Sequence, residues 1–252
     1  MTASPVVDAL GLPPEARIDR RVPKTLLLEH GAPTAADRRQ IQDGIEEITW
    51  VAALKPTTIG VPIHRDDTRE YLEIAVLTMR LRGRARASRL IELVHRAIPY
   101  PVLLITEDED AVSLSLAHQR RSLAEGGAVV IEAVERTAPF SPDRPSEIAA
   151  AFLASLNVAG LPGHDLFTLY QGWSDRVVAL QAAGVTGSFR IARTAEEAAA
   201  RREAIAAHDR VAREIAALRA EAARERQTRR LVDINLAIKR LETERAAAVR
   251  GL

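Results

Sequence analysis

The chain has 252 residues, 47% of them hydrophobic and 27% charged, with a net charge of +1 and no cysteine. That length buries a substantial core, and the balanced charge gives no global attraction to nucleic acid or to an anionic membrane. Without cysteine there are no disulfides, thiol nucleophiles or thiolate metal sites, and a reducing cytoplasm is the expected location.

The opening MTASPVVDALGLPP lacks the basic start and apolar run of a signal peptide, and no run of about 18 apolar residues offers a membrane span. Residues 1–20, rich in proline and small residues, read as a flexible lead. An α+β body is expected over 21–190 and a long helical interaction segment over 191–252. At the start of the body, RIDRRVPKTLLLEH sets Arg17, Arg20, Arg21 and Lys24 ahead of an apolar run. This segment is a solvated lead-in or a backbone or phosphate contact, with Lys24 as its nucleic-acid-binding candidate. Thr34 begins a helix as its N-cap, and Ile41, Ile45, Ile48 and Ala52 then recur on one helical face until Pro56 stops it. Trp50 lies off that stripe, and TTIGVPIHRDDTRE reads as a connector.

Tyr71 to Leu81 is apolar on both parities apart from Glu73, as in a central strand buried on both faces. RLRGRARASR follows, with Arg80, Arg82, Arg84, Arg86 and Arg89 forming the densest positive patch in the chain. Between a strand end and a helix start, such a patch holds phosphates by charge and by free backbone N–H groups; a solvated loop is the alternative. The next helix runs to Ala97 before Pro99. VLLIT and AVSLSLA form a hairpin across EDED, in which Ser113, Ser115 and Ala117 mark a less apolar or exposed face. HQRR contributes Arg120 and Arg121, and SLAEGG turns the chain into a further strand, AVVIEAV. The fold class is therefore α+β: a mixed sheet of about four or more strands, at least three of them antiparallel neighbours, with packed helices.

Beyond the Pro-rich PFSPDRP, Ser146 caps EIAAAFLASL. Leu166, Leu169, Tyr170, Trp173, Val177 and Leu180 then form a helical stripe with Tyr170 and Trp173 as core anchors, ended by Gly184 or Gly187. From Thr194 to Arg250 there is neither glycine nor proline. A single helix there would run roughly 85 Å and would need a partner. Val211, Ile215, Leu218 and Ala222 keep heptad spacing, and so do Leu231, Ile234, Ile238 and Leu241. The two seams lie roughly 160° apart on one straight helix. The segment therefore has different partners along its length or turns near Arg224–Arg230. On either reading it is coiled-coil-like, and these residues are the candidate oligomer or partner interface.

None of the six histidines forms a pair at metal-ligand spacing, and no phosphate-binding P-loop, dinucleotide fingerprint or nucleophile elbow occurs. No catalytic residue, cofactor or metal is assigned, and enzymatic activity is left open but not expected. Glu73, Glu107, Asp108, Glu109, Asp110 and Glu132 keep a metal-dependent nuclease as the least favoured reading, because residues 71–134 contain no lysine to accompany them.

Several segments together resemble a bacterial family known as domain of unknown function (DUF) 4391. They are RVPKTLLLEHG, IEEITWVAALKPTTIGV, AIPYPVLLI, VSLSLAHQRR, LFTLYQGWSDRVVALQAAGVTGSF and RRLVDINLAIKRLE, spanning roughly 21–245. Lys24, Trp50, Pro99, Tyr100, Arg120, Tyr170, Trp173, Asn235 and Lys239 fall inside them, with Lys24, Arg120 and Lys239 as polar contacts. The resemblance brings no activity to transfer. It implies a context, because such proteins are typically encoded beside helicase-like and DNA-methyltransferase genes in restriction-like or phage-defence clusters. The expected function is a non-catalytic accessory or scaffold subunit of a DNA-acting complex, docking helicase or methyltransferase through the body and long helix. The alternative is direct nucleic-acid binding by Arg80–Arg89 with Arg120, Arg121 and the Arg224–Arg230 cluster.

Overall fold

The structure is a computed structural model and describes residues 3–83, 85–121 and 129–252. It forms two units, the first running to Leu180 and the second from Gln181 to Leu252. No helix among the described residues is long and apolar enough to cross a membrane.

In the first unit α1 (Ser4–Ala9) starts with a proline in its first turn and buries Val6, with Leu10 fully buried just after it. Residues 3–20 thus carry order where a flexible lead was expected. β1 (Arg17–Arg21) is an exposed edge strand, followed by α2 (Lys24–His30) and α3 (Ala35–Gly44). Thr34 caps α3 as expected, its hydroxyl accepting from the Asp37 N–H at 3.1 Å.

That helix does not continue through Ala52. Residues Ile45–Leu54 form β2, antiparallel to both β1 and β5 (Ile74–Leu81). The helical reading rested on Ile41, Ile45 and Ile48, and a bulge explains why it misled. The register of β2 shifts between Ile45 and Glu47, which adds one residue to the strand. Ile45 and Ile48, three apart, therefore both join the same core cluster, as a helix would have placed them. Pro56 opens the short α4 (Pro56–Ile59) and does not end a long helix.

The expected strand Tyr71–Leu81 is also divided. β3 (His64–Arg65) and β4 (Glu70–Tyr71) make a separate two-stranded ribbon, and β5 begins only at Ile74. The last residue of β2 to pair with β5 is Leu54, opposite Ile74, and Pro56 two residues on has no N–H to extend the ladder. Tyr71 is left to pair with His64.

α5 (Ala87–Ala97) then crosses over from β5 to β6 (Val102–Asp108), which is parallel to β5. β6 turns at Glu109 into the antiparallel β7 (Ala111–Leu116), the hairpin that EDED signals. β8 (Gln119–Arg121) and β9 (Val129–Ile131) form a second ribbon, so AVVIEAV does not extend the main sheet. That edge is taken by β10 (Glu135–Arg136), and the six-stranded order is β1-β2-β5-β6-β7-β10. Nearly every residue of β5 and β6 is buried, which fits their unbroken apolar runs.

One side of the sheet carries a core in which Leu27, Ile41, Leu90, Leu93 and Val94 of α2, α3 and α5 meet Leu77, Met79, Val102 and Leu104. Ser113 and Ser115 of β7, expected on a less apolar or exposed face, are buried, at 8% and 0% exposure. The Ser115 hydroxyl pairs with His95 Nε2 of α5 at 3.0 Å. For Ser115 a covering helix, not solvent, is what the side chain meets.

α6 (Glu147–Ser155) is capped by Ser146, whose hydroxyl accepts from the Ala149 N–H. α7 (Leu166–Thr186) buries Leu166, Leu169, Tyr170, Trp173 and Val177 completely or nearly so, as its stripe predicts. The Tyr170 hydroxyl donates to the Val102 carbonyl at 2.8 Å and accepts from the Ala117 N–H at 2.9 Å, tying the start of β6 to the end of β7. Trp173 Nε1 donates to the Leu156 carbonyl at 2.9 Å and Arg176 Nε to the Ser155 carbonyl at 2.7 Å, so α7 satisfies the exposed end of α6. Gly187 ends α7 in the left-handed conformation, φ +75°, its N–H on the Ala183 carbonyl.

In the second unit α8 (Ala195–Ala222) and α9 (Thr228–Val249) are joined by a turn over 223–227. Of the two sequence readings, the turning one describes the chain. Val211 and Ile215 pack on Ile234 and Ile238, with Leu218, Ala222 and Leu241 around them, so the two seams cover each other. Ion pairs Arg219–Glu242, at 2.8 Å, and Arg230–Glu221, at 2.9 Å, cross the hairpin at its surface.

Candidate functional site

The end of β5, the residues after it and the start of α5 place the arginine cluster at the mouth of the β5-α5-β6 crossover. Gly83 turns the chain there with φ +47°, a conformation that a side chain disfavours. In open α/β sheets this strand-end position, beside a helix N-terminus, is where ligands collect.

The cluster does not act as a single patch. Arg80 lies 3.5 Å from Glu107, which is itself 3% exposed, and 3.7 Å from Glu46. Arg89 grips Asp37 of α3 with two bonds, of 2.8 and 2.9 Å, and reaches Glu92 at 2.8 Å. The Arg89 bonds, with those from Thr34, hold the Asp37 carboxyl down at about 2. Both arginines are thus occupied by carboxylates distant in sequence. Arg82 and Arg86 are exposed, and Arg84 lies outside the described residues.

Two clefts of about 500 Å³ each flank Arg86. Cleft one is floored by Thr106, Asp108 and Ser113 of the β6–β7 hairpin and rimmed by Arg86, the first turn of α5 and Arg136. Cleft two is lined by Arg39, Asp43 and Gly44 of α3 with Arg82 and Arg86. Arg86 belongs to both, so the clefts adjoin.

Lys24 joins this region. Its ammonium donates to the Gln42 carbonyl at 2.9 Å and to the Ile45 carbonyl, covering the end of α3. Burial, then the charges of Arg82 and Arg21, push its pKa down. Arg120 and Arg121, by contrast, sit on β8 in a separate ribbon, where Arg120 is exposed. The structure therefore places Lys24 near Arg82 and lines the clefts with Arg82 and Arg86, with Arg39 and Arg136 added. The last two come from α3 and β10, and no local sequence density marked them.

Three of the six acids that suggested a nuclease, Glu73, Glu107 and Glu132, are dispersed into separate ion pairs. Glu73 is bound by Lys55 at 2.8 Å, Glu107 lies beside Arg80, and Glu132 is held by Arg69 at 2.7 Å. Trp50 is half-buried against the sheet core and meets Tyr100 edge-on at 6.5 Å between ring centres. Val211, Ile215, Leu218, Leu231, Ile234, Ile238 and Leu241 lie on the α8–α9 hairpin, where all but Leu231 belong to its internal seam. Asn235 and Lys239 are exposed on α9.

A second polar constellation was not legible in the sequence. His64 Nδ1 is 2.9 Å from Asp165 and Nε2 is 3.0 Å from Asp66, so the ring has a carboxylate at each nitrogen. Burial lowers its pKa, but the two carboxylates outweigh burial and raise it overall. Tyr71 meets His118 at 2.6 Å, and the Arg69 guanidinium stacks over Phe167 at 5.4 Å. These side chains contact one another and tie the two ribbons to the start of α7, although the buried Arg69 Nη1 has no hydrogen-bond partner among the described residues.

Among comparisons with known proteins, the model of one family, described as Domain of unknown function (DUF4391), matches residues 10–244. No curated protein and no solved structure matches the chain. A match over residues 10–244 takes in the sheet, both clefts and most of the helical hairpin, and the chain belongs to the DUF4391 family.

Proposed function

We propose that the protein binds the phosphate backbone of nucleic acid along the two clefts around Arg86, as a non-catalytic accessory subunit of a DNA-acting complex. One observation carries this reading: Arg86 is shared by two adjoining clefts that each bring a further arginine, Arg39 and Arg82 on one side and Arg136 on the other. Cations gathered from α3, β10 and the β5–α5 connection, with Lys24 beside them, track a strand in a way that two neutralised ion pairs would not. The helicase and methyltransferase neighbours implied by the family resemblance supply the context.

Binding of a fluorescent oligonucleotide is expected to weaken steeply with salt. Arg39→Glu with Arg82→Glu, both exposed, is expected to cost about tenfold or more in affinity and to flatten the logarithmic salt dependence by about one unit per lost contact. Anisotropy titrations at several salt concentrations check this. Affinity untouched by the double charge reversal would remove the clefts from nucleic-acid binding.

A second reading, a scaffold for protein partners, rests on α9. Val232 and Leu236, four residues apart, are each 52% exposed although Ile234 and Ile238 on the other side are buried. On this reading the 27.5 kDa chain is heavier than a monomer in light scattering, and Val232→Asp with Leu236→Asp returns it to one chain. A monomer in both would remove self-assembly and leave docking of the helicase or methyltransferase, read by pull-down.

A further inference from the structure

Cleft one contains a group that backbone tracking does not use. Thr106 is 2% exposed and its hydroxyl has no hydrogen-bond partner among the described residues. An unpaired buried hydroxyl is costly, and folding tolerates few of them. Val102 and Leu104 of β6 face the core under α5, so the alternation of the strand turns Thr106 and Asp108 to that same side, where cleft one opens.

Three further features converge there. The start of α5, an eleven-residue helix, is capped by no side chain; the Ala87 and Arg89 N–H groups bond the Ala85 and Arg86 carbonyls, and the helix dipole favours an anion. Arg136 donates to the Ser88 hydroxyl at 2.9 Å, which sets a guanidinium beside that helix start, and Arg86 stands just before it. Ser113 adds a second hydroxyl to the floor. Arg89, on the same rim, is committed to Asp37 and Glu92 and adds no net charge. The acid in the lining is Asp108. It repels a second phosphate but accepts a hydrogen bond from a sugar hydroxyl, so the lining suits one phosphate attached to a sugar better than a polyphosphate.

We propose that cleft one holds the terminal phosphomonoester of a nucleotide, with Thr106 and Ser113 donating to the phosphate, Arg86 and Arg136 neutralising it, and Asp108 taking a sugar hydroxyl. This deepens the nucleic-acid reading and rests on it: cleft two and Arg86 take the internal phosphates, and cleft one takes the end.

The test compares RNA oligonucleotides of one sequence carrying a 5′-phosphate, a 3′-phosphate or hydroxyl ends, whose terminal nucleotides keep the 2′-hydroxyl that Asp108 would take, with adenosine monophosphate as competitor. One phosphorylated end is expected to bind about tenfold tighter than the hydroxyl-ended strand, as fits the gain of charge-assisted hydrogen bonds. Thr106→Val is expected to erase that preference. The exchange is isosteric and removes an unpaired buried hydroxyl, so the fold is not put at risk. Competition by the mononucleotide at the strand's own affinity makes a free nucleotide the ligand; failure to compete makes it a strand end. Equal binding of all three ends, or a preference that survives Thr106→Val, overturns the inference. If the hydroxyl-ended strand still binds with steep salt dependence in that case, the backbone reading stands without it. A clear end preference together with indifference to Arg39→Glu and Arg82→Glu does the opposite: cleft one keeps its ligand and backbone tracking falls.

Discussion

Replacing Trp173 by alanine is expected to destabilise the protein by about 3–5 kcal/mol, the range for removing a large buried aromatic. Trp173 is fully buried on α7, and its Nε1 donates to the Leu156 carbonyl at the end of α6 at 2.9 Å. The alanine variant leaves a cavity and also strips that carbonyl of its partner. For a chain of this size such a loss lowers the melting temperature by roughly 6–20 °C. Trp173→Phe keeps most of the apolar volume and separates the two contributions, because it forfeits the hydrogen bond and little of the packing. Urea or thermal unfolding followed by circular dichroism measures both variants. A change below about 1 kcal/mol for the alanine variant would mean that α7 is not the anchor its burial indicates.

Acidification from pH 7 to pH 4 is expected to remove on the order of a few kcal/mol of stability through one residue, His95. Its ring is 1% exposed, and burial alone depresses its pKa to about 3. The unfolded chain protonates this ring near the ordinary value of 6.5 while the folded chain keeps it neutral. The stabilising contribution is therefore complete above about pH 6.5 and declines as pH falls toward 3. Asp37, held at about 2, begins to cost stability only below its ordinary value of 3.8, so the window between pH 6.5 and 4.5 belongs to His95. His64 acts in the opposite direction: its raised pKa gives a contribution that is full below 6.5 and is lost as pH climbs through the raised value. The urea midpoint against pH, for the natural chain and for His95→Gln, reads the effect as a difference in slope that survives any offset between the two proteins. Parallel slopes from pH 6.5 to 4.5 would dismiss His95 as the source.

Where a signal was local, it was legible. The caps at Thr34 and Ser146, the hairpin across EDED and the stripe of α7 each depend on residues within a few positions of one another, and backbone geometry alone fixes their meaning. The phase shift between the two C-terminal seams was equally informative, because a helix cannot turn one apolar face through half a revolution without an interruption. Where the reading failed, a distant segment had intervened. The bulge in β2 reproduced helical spacing inside a strand, and only pairing with β5 makes it visible. Ser115 signalled an open face until α5 covered it.

The arginine cluster shows the same division. Composition and spacing determined by themselves that this is an α+β protein with a helical C-terminal segment, and that positive charge gathers after the central strand. Which of those charges remain available was decided by the tertiary structure alone. Asp37 and Glu107 arrive from α3 and β6 to neutralise Arg89 and Arg80, while Arg39 and Arg136 arrive to join Arg86. The physical reason is that local backbone preference acts over a few residues. The strength of a charge, like the burial of a hydroxyl, is set by whatever the folded chain brings within a few ångströms of it.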